Sequence, residues 1–398
     1  MSTAINPALP PTRAIVFLAF AAFASQAMVR VTDPLLPQIA ADIGTTVGTA
    51  SIVTSAYAVS HGLTQLFGTP LGDRLPKYVM VAVLCLACAV ATAACGLSQS
   101  LASLGIARLA CGMTAGTLIP LCMAFIGDTV PYERRQAVLG RFLAGTIMGL
   151  VSGQVIGGVV GDYFGWRSVF LFIAALFVFV ALMLGSEILR NPVTRVWPRP
   201  SQSRSVLADY AAVLGSSWAR TLCIAGFLEW AIMFGAFAYI GADLHTRQNL
   251  SFTGIGLVLA AFGIGGLTYV VLVRWLVDRL GQIGLVRLGG VLLALAFLAL
   301  ALLPSWWTAF AMITVIGLAF QMIHNTLQVN ATQMAPEARA MALGIFSFAL
   351  YAGQAFGVAA AAPAVDSHGA VPVFMLAAAA WPLLAWWIIT RLRARSMI

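Results

Sequence analysis

Charge is what this sequence has least of. Asp, Glu, Lys and Arg make up 9% of its 398 residues, where a soluble domain carries about one quarter. That shortage excludes an ordinary water-soluble fold. With 61% hydrophobic residues and a mean hydropathy of +0.95, the chain belongs in a lipid bilayer. Other absences narrow the function. The sequence has no His-x-x-x-His metal pair, no glycine-rich phosphate loop ending in lysine and no nucleophile elbow, which argues against an enzyme. Its longest polar stretch is about 30 residues, too short for the soluble output domain of a sensor. The net charge is +9, yet no basic stripe carries interleaved stacking aromatics, so a nucleic-acid partner is excluded. The positive charge suits an anionic membrane leaflet instead. The start of the chain lacks the charged segment and small-residue cleavage site of a removable signal, so the apolar run from Ala14 reads as a retained span. The six cysteines all fall in apolar segments. Cys85 and Cys88 have redox or zinc spacing but no second ligand pair, and read as packing residues.

What is present is a series of apolar segments, each about the 20 residues that a crossing helix needs. They lie at 14–37, 47–71, 78–97, 101–125, 138–161 and 166–187, then at 219–242, 252–277, 283–303, 305–330, 338–362 and 371–391. That makes twelve spans, six on each side of a Pro-, Ser- and Arg-containing linker. The expected organisation is a first bundle over 1–188, a linker over 189–218 and a second bundle over 219–398. Of the 22 Lys and Arg residues, 18 fall at one end of this twelve-span layout. Arg167 and Arg247 fall at the other, and Arg30 and Arg108 fall within spans. The positive-inside rule then predicts an inner-membrane, multi-pass protein with both termini in the cytoplasm.

The halves are copies of one another. Asp73-Arg74-Leu75 recurs as Asp278-Arg279-Leu280, 205 residues later. Pro131, Arg134 and Ala137 recur as Pro336, Arg339 and Ala342 at the same offset, and Gly153-Gln154-x-x-Gly157 recurs as Gly353-Gln354-x-x-Gly357 at an offset of 200. Parallel six-span repeats are how one large class of transporters is built.

Three of these segments carry a family resemblance. "PLGDRLPKY", between spans 2 and 3, is similar to the Gly-x-x-x-Asp-Arg-x-Gly-Arg loop of the major facilitator superfamily, with Thr69 and Pro76 where the motif has glycines. "RLACGMTAGTLIP", from Arg108, resembles its fourth-helix motif. "GLVSGQVIGG", from Gly149, resembles the fifth-helix motif of its twelve-helix drug:proton antiporters, with Gln154 in place of a proline. The resemblance implies an all-α membrane protein of twelve transmembrane helices in two six-helix pseudo-symmetric bundles. Spans 1, 4, 7 and 10 would line a central cavity. It further implies an exporter of small amphipathic or aromatic compounds, working by alternating access as a monomer, driven by protons and needing no cofactor. A carrier of one metabolite, such as a sugar or organic acid, is the close rival.

Each of those four spans holds a polar residue unusual at membrane depth: Arg30 and Asp33, Arg108, Glu229, and His324. Ionised groups facing lipid would cost roughly 3 kcal/mol each, on the order of 10 kcal/mol for Arg30, Asp33, Arg108 and Glu229 together. They are therefore expected to face a wet cavity or one another. Gln26, Arg30 and Asp33 share one face of span 1. Span 10 carries a stripe of Gln321, His324, Asn325 and Gln328, and span 2 carries Tyr57, His61 and Gln65 at four-residue spacing. Glu229, Asp33, His61 and His324 are the candidates for proton coupling. Arg30, Arg108, Tyr57, Gln65, Trp230, Gln321, His324 and Asn325 are the candidates for substrate contact. Asp73, Arg74, Asp278 and Arg279 are expected to latch one face of the cycle, and Gly149, Gly153 and Gly157, with Gly158, to pack a fifth helix that seals the cavity. Arg30, Asp33 and Arg108 are expected around one cavity between spans 1 and 4.

Overall fold

The computed structural model describes residues 12–72, 75–197, 206–335 and 339–396, and among these the regular structure is helical, with no strand. Span 1 is Thr12–Arg30, continued after a turn by Leu36–Ile43. Span 2 is Ile52–Gly72, span 3 Lys77–Gly96, span 4 Leu101–Ala115 with Leu118–Thr129, span 5 Tyr132–Phe164 and span 6 Trp166–Arg190. Span 7 is Ser217–Phe237 with Ile240–Gln248, span 10 Trp306–Ala331, span 11 Arg339–His368 and span 12 Val371–Ser396. Spans 8 and 9 come from one hydrogen-bonded run, Phe252–Leu302, which turns at Gly281. There φ is 57°, a left-handed value that glycine adopts without steric cost. Ten helices of the described residues are long and apolar enough to cross a membrane. Counting the 51-residue run as two crossings and adding the more polar Ile52–Gly72 makes twelve.

The expected continuous spans 1 and 4 are broken, and proline explains both breaks. A proline has no N–H to return to the carbonyl four residues back. Pro34 thereby frees the Arg30 carbonyl, which the Asp33 N–H takes up at 3.2 Å. Pro120 frees the Gly116 carbonyl in the middle of span 4. Gln65 of span 2 supplies the missing donor, with Nε2 2.7 Å from that oxygen. A bare carbonyl at membrane depth would cost several kcal/mol, so this amide is part of what lets span 4 break. Span 7 breaks at Ala238 and Tyr239, without a proline.

Two main apolar cores form, one from residues between 14 and 184 and one from residues between 213 and 392. Within each, small residues set the helix spacing. A methyl group on Gly153 or Gly157 would come within 3 Å of the Ala27 or Val31 carbonyl oxygen, and one on Gly353 or Gly357 would do the same at Phe227 or Ala231. All four pairs are related by 200 residues. Spans 2 and 4 meet where Gly112 lies on the Tyr57 carbonyl, and spans 8 and 10 meet where Gly317 lies on the Phe262 carbonyl. That relation is 205 residues. Both offsets read in the sequence are therefore built into the packing.

The end remote from most arginines, here called the far end, is closed by contacts between the halves. Gly158 and Gly256 bring spans 5 and 8 together with their Cα atoms in near contact. Asp366 of span 11 accepts hydrogen bonds from the Gly48 N–H and the Thr46 hydroxyl, both at 2.7 Å. Asp162 of span 5 accepts one from the Thr253 N–H at 3.2 Å. Gly48 and Thr253 are 205 residues apart, each just inside a helix capped by Thr46 or Ser251. Each half thus caps the other's helix start with a carboxylate, where helix dipole and free N–H groups favour negative charge. The Tyr239 hydroxyl adds a third tie, 2.8 Å from both Ser51 Oγ and the Val358 carbonyl oxygen.

Towards the basic end the two flanks differ. Spans 2 and 11 stay together: Ser55 donates to the Ala355 carbonyl, Gly62 lies on Tyr351, and a methyl group on Gly344 would lie 3.0 Å from the Gln65 carbonyl oxygen. Spans 5 and 8 part below Val151 and Gly263. Beyond that level Leu143, Met148, Val270, Val271 and Trp275 are all exposed.

Candidate functional site

Where the halves meet at mid-depth, polar groups are linked by aromatic rings. In the first half Arg108 is wholly buried. Its Nε donates to the Val53 carbonyl at 3.2 Å and Nη1 to the Met28 carbonyl at 3.4 Å, and its charge lies 4.4 Å from the Tyr57 ring centroid. Nη2 has no hydrogen-bond partner. Arg30 is paired with Asp33 at 3.6 Å, and its guanidinium lies 4.0 Å over Phe234, a ring of the second half. Asp33 is buried, and its Oδ2 accepts no hydrogen bond. Gln154, the residue in place of the motif proline, stands wholly buried beside that carboxyl.

In the second half the Glu229 carboxyl is wholly buried, and its Oε2 is 3.1 Å from His324 Nδ1. The Trp230 indole N–H points at the same nitrogen from 3.4 Å. Phe320 stacks on the His324 ring at 5.1 Å with an 11° tilt. Trp230 lies 4.9 Å from Tyr351, and Tyr351 lies 4.2 Å from His61 of the first half. A ladder of contacts therefore runs from Arg108 through Tyr57, His61, Tyr351, Trp230 and His324 to Glu229.

His61 is held on both ring nitrogens. The Gln65 amide nitrogen donates to the Gly116 carbonyl and lies 3.4 Å from His61 Nε2. The Tyr57 hydroxyl oxygen lies 3.1 Å from Nδ1. His61 thus stands as a strut between spans 2 and 11, against Tyr351.

The sequence-derived candidates fall into four groups. Arg30, Asp33, Arg108, Tyr57, His61, Gln65, Glu229, Trp230 and His324 gather along the ladder. Arg108 reaches the backbone of spans 1 and 2 and makes no direct bond to Asp33 or Arg30, so it is not a partner in their ion pair. Gln321 and Asn325 face span 8, beside Gly266 and Tyr269, and Gln328 is exposed. Gly149, Gly153 and Gly157 lie on the span 1 backbone, inside the first half, whereas Gly158 makes the contact between halves. Asp278 and Arg279 are exposed at the basic end; Asp73 and Arg74 lie outside the described residues. The structure also brings in Tyr351, Phe234, Phe320 and Gln154. Only Gln154 carried a usable signal, its recurrence as Gln354.

A family profile described as Major Facilitator Superfamily matches residues 18–358, and again 222–397. The chain belongs to the major facilitator superfamily. This facilitator is therefore a multi-pass membrane transporter of small molecules, not an enzyme. It is 30% identical over 369 residues to a probable transporter of Streptomyces coelicolor, covering 89% of this chain and 81% of the relative. It is 26% identical over 333 residues to a chloramphenicol resistance protein of Streptomyces lividans, covering 82% and 83%. Among solved structures, the facilitator fold matches a point mutant of the nucleoside transporter NupG with a TM-score of 0.79 at 14% identity, over 95% of this chain and 99% of that one.

Proposed function

We propose that this facilitator is a proton-coupled exporter of small amphipathic or aromatic compounds, working by alternating access. The observation that carries the reading is the Glu229–His324 pair, buried among Trp230, Phe320 and Tyr351. The arrangement joins a proton-carrying pair to an aromatic surface suited to apolar cargo. The proton moved in this reading is the one shared between the Glu229 carboxyl and His324 Nδ1, a nitrogen that the Trp230 indole also approaches. Loss of that proton towards the basic end would leave a carboxylate in the site, so proton and cargo compete for the same aromatic pocket. The relative named for chloramphenicol resistance supports cargo of this kind moving outward.

In this reading the basic end is cytoplasmic, the membrane is the inner one, and the state described here is open inward. The halves 1–188 and 219–398 rock about the linker 189–218, without a cofactor and as a monomer. Asp73, Arg74, Asp278 and Arg279 serve as the latch that holds one face of the cycle. One inward proton supplies roughly 2.3 kcal/mol per 100 mV, enough for about a 50-fold gradient.

The test is transport in proteoliposomes. Glu229→Gln should fold, bind cargo and lose accumulation driven by a pH gradient; undiminished uphill transport would rule the residue out. A second reading, a carrier of one polar metabolite, draws on the Gln321, Asn325 and Gln328 face of span 10. A ligand panel screened on the purified protein at pH 6 and pH 8 separates the two: a single tight polar ligand favours the carrier, and several weak aromatic ones the exporter.

A further inference from the structure

The parted flank exposes more than two helix surfaces. Beside it, spans 1 and 5 leave a groove of about 460 Å³. Val16, Phe20 and Phe23 form one wall and Phe142 and Met148 the other. Gly145 against Ala19 makes the floor, where a Cβ on the glycine would already be 3.3 Å from the Ala19 carbonyl oxygen. The two polar lining residues, Thr12 and Arg141, are both at the basic end. The groove runs along span 1 from Thr12 to Phe23, about 16 Å at 1.5 Å per residue. That is roughly half of a bilayer's hydrocarbon core. Arg141 is exposed and carries no ion pair or hydrogen bond to a described residue. Of its basic neighbours, Arg13 pairs with Glu187 at 3.3 Å and Arg135 binds the Gly127 and Val130 carbonyls, while Arg134, two turns before it on span 5, is exposed as well.

We propose that this groove seats one acyl chain of an anionic phospholipid from the adjoining leaflet, with the headgroup phosphate on Arg141. The inference is independent of cargo and of proton coupling. An apolar trough at membrane depth needs an apolar filler, and the exposed cation at its mouth, Arg141, selects an anionic one. A soluble anion would use the arginine and leave the trough empty. A zwitterionic lipid would fill the trough but cancel most of the charge attraction. The parted flank gives the chain a sideways entry from the bilayer.

Native mass spectrometry of the purified full chain, equilibrated with equal phosphatidylglycerol and phosphatidylcholine in detergent, tests this. The native protein should retain one phosphatidylglycerol in preference by about five-fold. Arg141→Gln should bring the preference near unity while leaving some lipid bound. Ala144→Phe, which fills the trough from an exposed position, should remove the bound lipid of either kind. Equal retention of the two lipids by the native protein would overturn the proposal, as would a preference unchanged in both variants. Complete displacement by glycerol phosphate at millimolar concentration would show a bare anion site and overturn it too.

Discussion

The two halves of this transporter share a scaffold and differ in chemistry. Gly153 on Ala27 is copied as Gly353 on Phe227, and Gly112 on Tyr57 as Gly317 on Phe262. At the same offsets, however, Arg30 corresponds to Trp230, Asp33 to Met233, Glu229 to Val29, Arg108 to Ile313 and His324 to Ile119. The first half holds two arginines against one carboxylate, and the second a carboxylate against a histidine and aromatic rings. Backbone contacts through glycine tolerate almost no change, since any side chain meets a carbonyl. Side chains facing the interface are free to diverge, and their divergence makes the site polar on one side and aromatic on the other.

That contrast can be broken from either side. The largest effect should come from the shared scaffold. Gly153→Leu and Gly353→Leu each force a side chain into a carbonyl and should destabilise by about 3 kcal/mol or more. The two should fall together in folded yield and melting temperature, and a large difference between them would show that the halves are not equivalent in packing. Next comes the chemistry. Arg108→Ile turns a residue into its own counterpart and removes a buried charge without an acidic partner. It should leave thermal stability unchanged or raised, because such a charge is costly to bury, while uphill transport falls at least about ten-fold. A loss of stability matching the loss of transport would make Arg108 merely structural.

The carboxylate clasps of the far end sharpen the comparison further. Asp162→Asn and Asp366→Asn should each shift the closed population by about two- to five-fold, the range of a helix-start charge interaction. Spin-label distances across the far ends report it, and Asp366, with two bonds to Asp162's one, should show the larger shift. The smallest effect belongs to Asp42, which has no copy in the second half. Its bonds from Arg167 and from the Trp166 indole at 3.2 Å hold its carboxyl below the usual range. A lowered value stabilises the fold above the ordinary carboxylate pKa near 3.9, and that contribution vanishes as pH falls through the lowered value. Asp42→Asn should therefore cost about 0.5 kcal/mol or less at pH 7, with the difference from the native protein disappearing in acid.

Twelve spans and both repeat offsets are legible in the sequence, because a bilayer demands long apolar runs and the copies keep their glycines. The burial of Arg30, Asp33, Arg108 and Glu229 is legible too, from the cost of leaving them in lipid. Partners are not. His324 lies 95 residues from Glu229, and helical spacing says nothing about which face meets which across two bundles. The break in span 4 could have been read from Pro120, but its repair by Gln65 depends on how span 2 is rotated. Tyr351 and Phe234 look like any other aromatic residue in an apolar helix.

The unequal flanks carry a mechanical consequence. If spans 2 and 11 stay joined from Ser55 to Gln65 while spans 5 and 8 swing apart, the molecule opens like a book, with its spine on one flank and its fore-edge on the other. Points near the spine then travel little, and those at the fore-edge travel most. A covalent staple between Gln65 and Gly344 would leave the pages turning, whereas the same staple between Met148 and Leu267 would bind the volume shut.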